Sequence, residues 1–379
     1  MNVDWQSRSF EECIDPISYA AKVQRKDFLS EGAYPVVSQE EAFINGFWDQ
    51  EGDLFRVERP VVVFGDHTRA LKYIDFDFVL GADGVKVLKP KQFLYPRFFY
   101  YQLHTAKLDS LGYARHYRLL RKHLVAYPGY EEQQRIVAIL DEAFDGIATA
   151  KANAEKNLQN ARALFDSNLH AVFARLGEGW SQTTLGEICA FENGDRGKNY
   201  PNRKEYVDAG IPWINTGHIR PDGTLSDTEM NFLSKEKFDS LRSGKIRPGD
   251  LVYCLRGATL GKTALVDPLT MGAVASSLVI IRPGKLVNGR FLFYFLTSPV
   301  GRHSIKAYEN GAAQPNLGAK NVAKYVINLP GVGEQEAIVN NLDAIADETQ
   351  RLESIYQQKL AALDELKKSL LHQAFSGAL

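Results

Sequence analysis

The chain has 379 residues, more than one typical core accommodates, and its 45 Lys and Arg against 46 Asp and Glu leave a formal charge of −1, without the basic excess usual in nucleic-acid binders. Hydrophobic residues at 45% and charged residues at 24% exclude wholesale disorder. Cys13, Cys189 and Cys254 form no CxxC pair, which excludes a disulfide framework and a cysteine-based zinc site, and neither an apolar signal core nor an 18-residue apolar run occurs, so a cytoplasmic chain without membrane contact is expected.

In chain order, residues 1–128 carry short β-branched runs punctuated by Gly and Pro, such as RPVVVFGDHT at 59–68, and predict a mixed α+β globule. Residues 129–177 follow Pro128, open on Gly129 and acidic side chains and run without proline, as a long helix does. A second globule is expected over 178–330, with strand-like GDLVYCLRGAT at 249–259, and a second long helix over 331–379.

The two helical segments are copies. At a constant offset of 202, fifteen of fifty positions in 128–177 and 330–379 are identical, among them Glu132/Glu334, Gln133/Gln335, His170/His372 and Phe173/Phe375. Apolar heptads sustained through Val137, Leu140 and Ile147, and through Ile338, Leu342, Ile345, Leu352, Lys359 and Leu366, predict that the helices pair as an antiparallel coiled coil. The globules correspond more faintly. Gly32-Ala-Tyr-Pro-Val parallels Gly210-Ile-Pro-Trp-Ile, Phe98, Tyr101 and Leu103 parallel Phe291, Tyr294 and Leu296, and the second globule is longer by 27 residues, mostly around 193–247. The expected fold class is therefore α+β: two globules separated by two long helices, related as a pseudo-two-fold internal duplication.

The helix openings Pro-Gly-x-x-Glu-Gln at 128–133 and 330–335, with GDHT at 65–68, YARHY at 113–117 and AAQPNL at 312–317, resemble the specificity subunits of type I DNA restriction-modification enzymes over essentially the whole chain. The resemblance implies two target-recognition domains (1–128 and 178–330) alternating with spacer helices (129–177 and 331–379). It implies a subunit without a catalytic centre that reads a split, asymmetric site in double-stranded DNA, one half-site per globule. Its partners would be two methyltransferase subunits docked on the helices and restriction subunits joining that core. S-adenosylmethionine and ATP with magnesium would belong to those partners, leaving this chain with no cofactor and no metal.

Charge divides accordingly. The first globule has net charge 0, the helices −2 and −4, and the second globule +5, so DNA should meet the globules. RHYRLLRKH at 115–123 is a candidate phosphate-facing segment. Arg reads guanine and Asn or Gln reads adenine from loops that enter the major groove. On that chemistry the candidates are Asp66, His67, Thr68, Arg69, Arg115, His116 and Arg118 in the first half. In the second half they are Asn215, Thr216, His218, Arg256, Thr259, Lys262, Gln314 and Asn316. The repeated Glu132, Gln133, His170, Phe173, Glu334, Gln335, His372 and Phe375 are candidates for a subunit interface.

Two other classes are weighed against this reading. RGATLGKT at 256–263 approaches a phosphate-binding loop but has Arg256 where the first glycine belongs, which disfavours a nucleotide-dependent enzyme. A coiled-coil scaffold whose globules bind proteins is opposed by the basic second globule. No Asn/Asp-Pro-Pro-aromatic run suggests methyl transfer by this chain.

Overall fold

Val61–Gly65 is apolar and buried at all five positions, a pattern that fits only the interior of a sheet covered on both faces. In the computed structural model, which describes residues 4–18, 21–82, 84–109, 112, 114–308 and 316–378, this strand lies between Val85–Pro90 and Leu71–Ile74. Ile14–Asp15 completes the four-stranded sheet. A second sheet orders Gly46–Trp48, Tyr34–Val37, Phe78–Leu80 and Leu54–Phe55, with one parallel contact, Val36 to Val79. Gln6–Ser9 pairs antiparallel with Leu124–Tyr127, so the chain enters and leaves the globule side by side.

The second globule repeats this frame. Cys189–Asn193, Leu278–Pro283, Leu251–Cys254 and Thr263–Leu265 form the first sheet in the same order. Ile211–Ile214 again pairs parallel with Ala273–Val274 and antiparallel with Asn231–Leu233. Ser181–Thr184 closes on Val326–Leu329. Most of the extra length enters at two places. The larger lies between Asn193 and Lys245 and adds Tyr206–Val207 and the helix Lys235–Ser240. The smaller follows the helix Gly289–Thr297, where Pro299–Tyr308 forms another helix.

The long helices span Tyr130–Ala174 and Val332–Phe375. By contact density the chain forms two units, 1–155 with 357–379, and 156–356. Each unit therefore contains a globule, the near part of one long helix and the far part of the other. Inside each unit the helices run antiparallel. Lys151 reaches Asp364 at 2.7 Å in the first unit, and Arg162 reaches Glu353 at 2.9 Å in the second. Leu140, Ile147, Ala154 and Leu342 are buried as heptad seam positions should be. Lys359 and Leu366 are exposed instead, against the heptad expectation. The companion stripe of the same heptads keeps its side, with Tyr356, Leu363 and Leu370 half-buried and Leu360 half-buried beside them.

Candidate nucleic-acid interface

In the first unit the hairpin Val61–Gly65 and Leu71–Ile74 ends in a turn over residues 66–70. Asp66 is buried beneath it. Its carboxylate accepts from the Tyr117 amide at 2.7 Å, and its carbonyl accepts from the His116 amide at 2.8 Å while lying 3.0 Å from the His116 ring. Asp66 and His116 are 2% and 1% exposed, so they latch the 114–120 segment onto the turn from beneath and present no face to solvent. Thr68 donates its hydroxyl to the Gln39 carbonyl and accepts from the Ala70 amide, which is turn chemistry. The His67 amide donates to Gln39 Oε1 at 3.3 Å. Arg69, in the left-handed region at φ 66°, is exposed and donates to the Leu108 carbonyl at 2.9 Å. Arg115 and Arg118 are exposed and form no ion pair among the described residues.

The second unit corrects more of the expected readers. His218 is buried, accepts from the Asn215 amide at 3.2 Å and lies 3.3 Å from the Asn231 amide group; burial lowers its pKa below the ordinary imidazole range. Asn215 caps the turn Thr216–His218 by accepting from Gly217 at 2.9 Å, with Thr216 half-buried in that turn. Thr259 Oγ1 lies 3.2 Å from Cys254 Sγ and shapes the loop rather than projecting from it. Gln314 lies outside the described residues. Arg256, Lys262 and Asn316 are exposed, and a backbone bridge places Arg256 beside Asn316 although sixty residues separate them in sequence.

Lys262 also lines a groove of about 530 Å³. Arg220, Arg302 and Lys306 add three more cations to its wall, and Leu260 and Ile305 are among its apolar lining. Arg220 is paired with Asp227 and Arg302 with Asp166, each at 2.7–2.8 Å, whereas Lys262 and Lys306 have no ion pair among the described residues. No local motif singles out Arg220, Arg302 or Lys306, because a loop carries the first and the helix Pro299–Tyr308 the other two, and only the fold brings both to the Lys262 loop. Thr263 begins a strand, not a helix, so residues 256–263 lack the helix N-terminus a nucleotide phosphate loop requires. Among the described residues no group of three or more His, Cys, Asp or Glu is arranged to hold a metal ion.

The repeated helix residues divide sharply. Gln133 is fully buried: its side-chain oxygen accepts from Tyr95 at 2.7 Å and its amide donates to Phe93 and Pro128, both at 2.9 Å. Gln335 repeats this with Asn288, Leu286 and Pro330 at 2.8, 2.9 and 2.8 Å. Phe173 lies buried against Phe291 and Phe295, and Phe375 packs edge-on against Phe98. These four hold globule to helix, and their repetition reflects the same internal joint made twice. Glu334 accepts from the Trp180 indole at 3.0 Å, and Glu132 is held by Arg135, which keeps its carboxyl below the usual range. His170 and His372 are exposed.

The type I restriction modification DNA specificity domain family matches residues 177–361, and the first unit repeats the main sheet of that segment in the same strand order and the parallel pair of its second sheet. The specificity subunit of the type I restriction enzyme EcoR124I/EcoR124II from Escherichia coli is 25% identical over 349 residues, covering 86% of this chain and 82% of that protein. The EcoBI specificity subunit, also from E. coli, is 26% identical over 53% of this chain and 42% of its own length. A solved chain of a type I restriction-modification system superimposes over 100% of both chains with a TM-score of 0.78 at 20% identity. The HsdS subunit from Thermoanaerobacter tengcongensis covers 99% of this chain and 97% of its own with a TM-score of 0.56 at 20% identity. With two copies of one sheet frame, each closed on paired long helices, and the DNA specificity domain matched over 177–361, this chain is similar to the type I restriction-modification specificity subunits along most of its length.

Proposed function

We propose that this chain reads a bipartite, asymmetric site in double-stranded DNA, one half-site per globule, and targets a restriction-modification complex to it. The observation that carries this reading is a repeated frame with unlike loops. Equivalent hairpin turns emerge from equivalent sheets, but one presents Arg69 and the other Arg256 and Lys262 beside a basic groove. Two identical readers suit a palindrome, whereas two different ones suit an asymmetric pair. Exposed cations at the loops supply phosphate contacts, and the acidic helices are left for protein partners.

In this reading two methyltransferase subunits dock on the helices, where His170 and His372 are exposed, and restriction subunits join through them. S-adenosylmethionine and ATP with magnesium are held by those partners, and the complex works in the cytoplasm. Co-expression with a methyltransferase partner followed by methylome sequencing tests the reading. A bipartite methylated motif should appear, and replacing residues 178–330 with another recognition domain should change one half of it. A motif that stays intact after the replacement would refute the assignment of half-sites to globules.

A further inference from the structure

Lys72 sits in the middle of the strand Leu71–Ile74 and is 4% exposed. Burying an ammonium group is costly unless acceptors surround it. Here its Nζ meets the carbonyls of Ser38 at 2.9 Å, Ala42 at 2.5 Å and Phe43 at 3.4 Å, and the Asn45 side-chain oxygen at 3.0 Å. All four acceptors belong to the connection between Tyr34–Val37 and Gly46–Trp48. The sheet itself does not need the cation. In the second globule the register-equivalent position, opposite Val252 as Lys72 is opposite Val63, is Ala264.

The connection that Lys72 grips is also tied elsewhere. Asn45 accepts from the Ser38 amide at 2.8 Å, and Gln39 holds the backbone of His67 and the hydroxyl of Thr68 in the adjoining hairpin turn. Its crest, 41–44, is nevertheless exposed throughout, with Phe43 at 49% and Ile44 at 42%. A loop fixed at its base by a buried cation, with carboxylate and apolar side chains held out at its tip, is pre-organised to meet a surface. The corresponding connection in the second globule, 215–230, contributes Arg220 to the basic groove beside Lys262.

We infer that Lys72 is a positioning residue for DNA reading, and that it presents the 41–44 crest to the major groove of the first half-site. The inference rests on the proposed function above. The crest carries chemistry for two base edges: Glu41 can accept from a cytosine amino group, and Phe43 and Ile44 can pack on a thymine methyl. Lys72 acts through the loop and touches no base.

The test uses the full chain in complex with its methyltransferase partner, with duplexes carrying single substitutions at each position of the methylated motif. Lys72→Met, Glu41→Gln and Phe43→Ala are compared with the wild type. Discrimination should fall by about 10-fold at base pairs in one half of the motif only, at the same pairs for all three variants, with the other half read as before. An overall loss of stability does not produce that base-selective pattern. If Lys72→Met fails to fold, the two crest variants decide the matter, since their side chains are exposed. Unchanged discrimination in the crest variants overturns the proposal, as does a folded Lys72→Met complex with the wild-type profile. A wild-type complex that methylates no bipartite motif would instead count against the proposed function.

Discussion

Arg97 meets Asp141 at 2.9 Å, and Arg290 meets Asp343 at 2.9 Å in the second unit. Each arginine lies on a short globular helix and each aspartate on the adjoining long helix, and Tyr101 and Tyr294 donate their hydroxyls to the same carboxylates. Burial raises both tyrosines above the ordinary phenol range, which keeps them as donors. The clamp is half-exposed, so solvent weakens its ion pair. Asp141→Ala should cost about 1–2 kcal/mol in urea unfolding, mainly through the orphaned tyrosine and arginine donors, and Asp343→Ala should match it. A loss in one unit only would show that the two joints are not energetically equivalent.

Gln133 and Gln335 are stricter cases because both are fully buried. Truncating either to alanine orphans two carbonyls and one backbone amide, an expected cost of about 2–3 kcal/mol. Thermal unfolding of Gln133→Ala and Gln335→Ala measures it. Changes below about 0.5 kcal/mol would mean that water replaces the side chain without strain.

DNA binding should separate exposed cations from buried latches. Lys262→Gln and Arg115→Gln are expected to weaken binding evenly across sequences and to lower the slope of log affinity against log salt by about 1 each. His218→Ala and Asp66→Ala should instead lower thermal stability, because their side chains hold turns from beneath. Binding titrations at two salt concentrations, read beside melting curves, distinguish the groups.

Burial lowers Lys72 to about 8, with Glu40 and Glu41 acting in the opposite direction. The folded chain thus gives up this proton before the unfolded chain does. Between about pH 8 and the ordinary lysine range the unfolded state binds more protons, so this group's contribution to stability rises with pH. Comparing Lys72→Met with the wild type from pH 7.5 to pH 10 isolates the effect. The wild type should gain relative to the variant across that window, and parallel pH profiles would place the ammonium in better-solvated surroundings.

Much of the frame was legible in the sequence because it is repeated. The constant offset through Gln133/Gln335 and Phe173/Phe375 marked the helices, and VVVF at 61–64 marked a buried strand. The same repetition has an internal cause that the sequence does not reveal: Gln133 and Phe173 recur because the globule-to-helix joint recurs. The interface was less legible. Asp66, His116 and His218 are residue types that read DNA, yet each is satisfied internally by neighbours that only the folded turns supply. Arg220 and Lys306 carry no local motif, and their proximity to Lys262 depends on loop conformations that no periodicity encodes.

Residues 357–379 belong to the compact unit that also contains residues 1–155. Ala374 is wholly buried in a core with Phe10, Phe98 and Leu140, and Leu370, Leu371 and Phe375 pack around it. A ribosome emits those four residues more than 350 positions after Phe10. The second unit, made from one continuous stretch, can close while the first still waits for its last side chains. A chain cut short by a few dozen residues would therefore be damaged at its beginning, leaving a prematurely terminated product with a hollowed N-terminal core exposed to proteolysis.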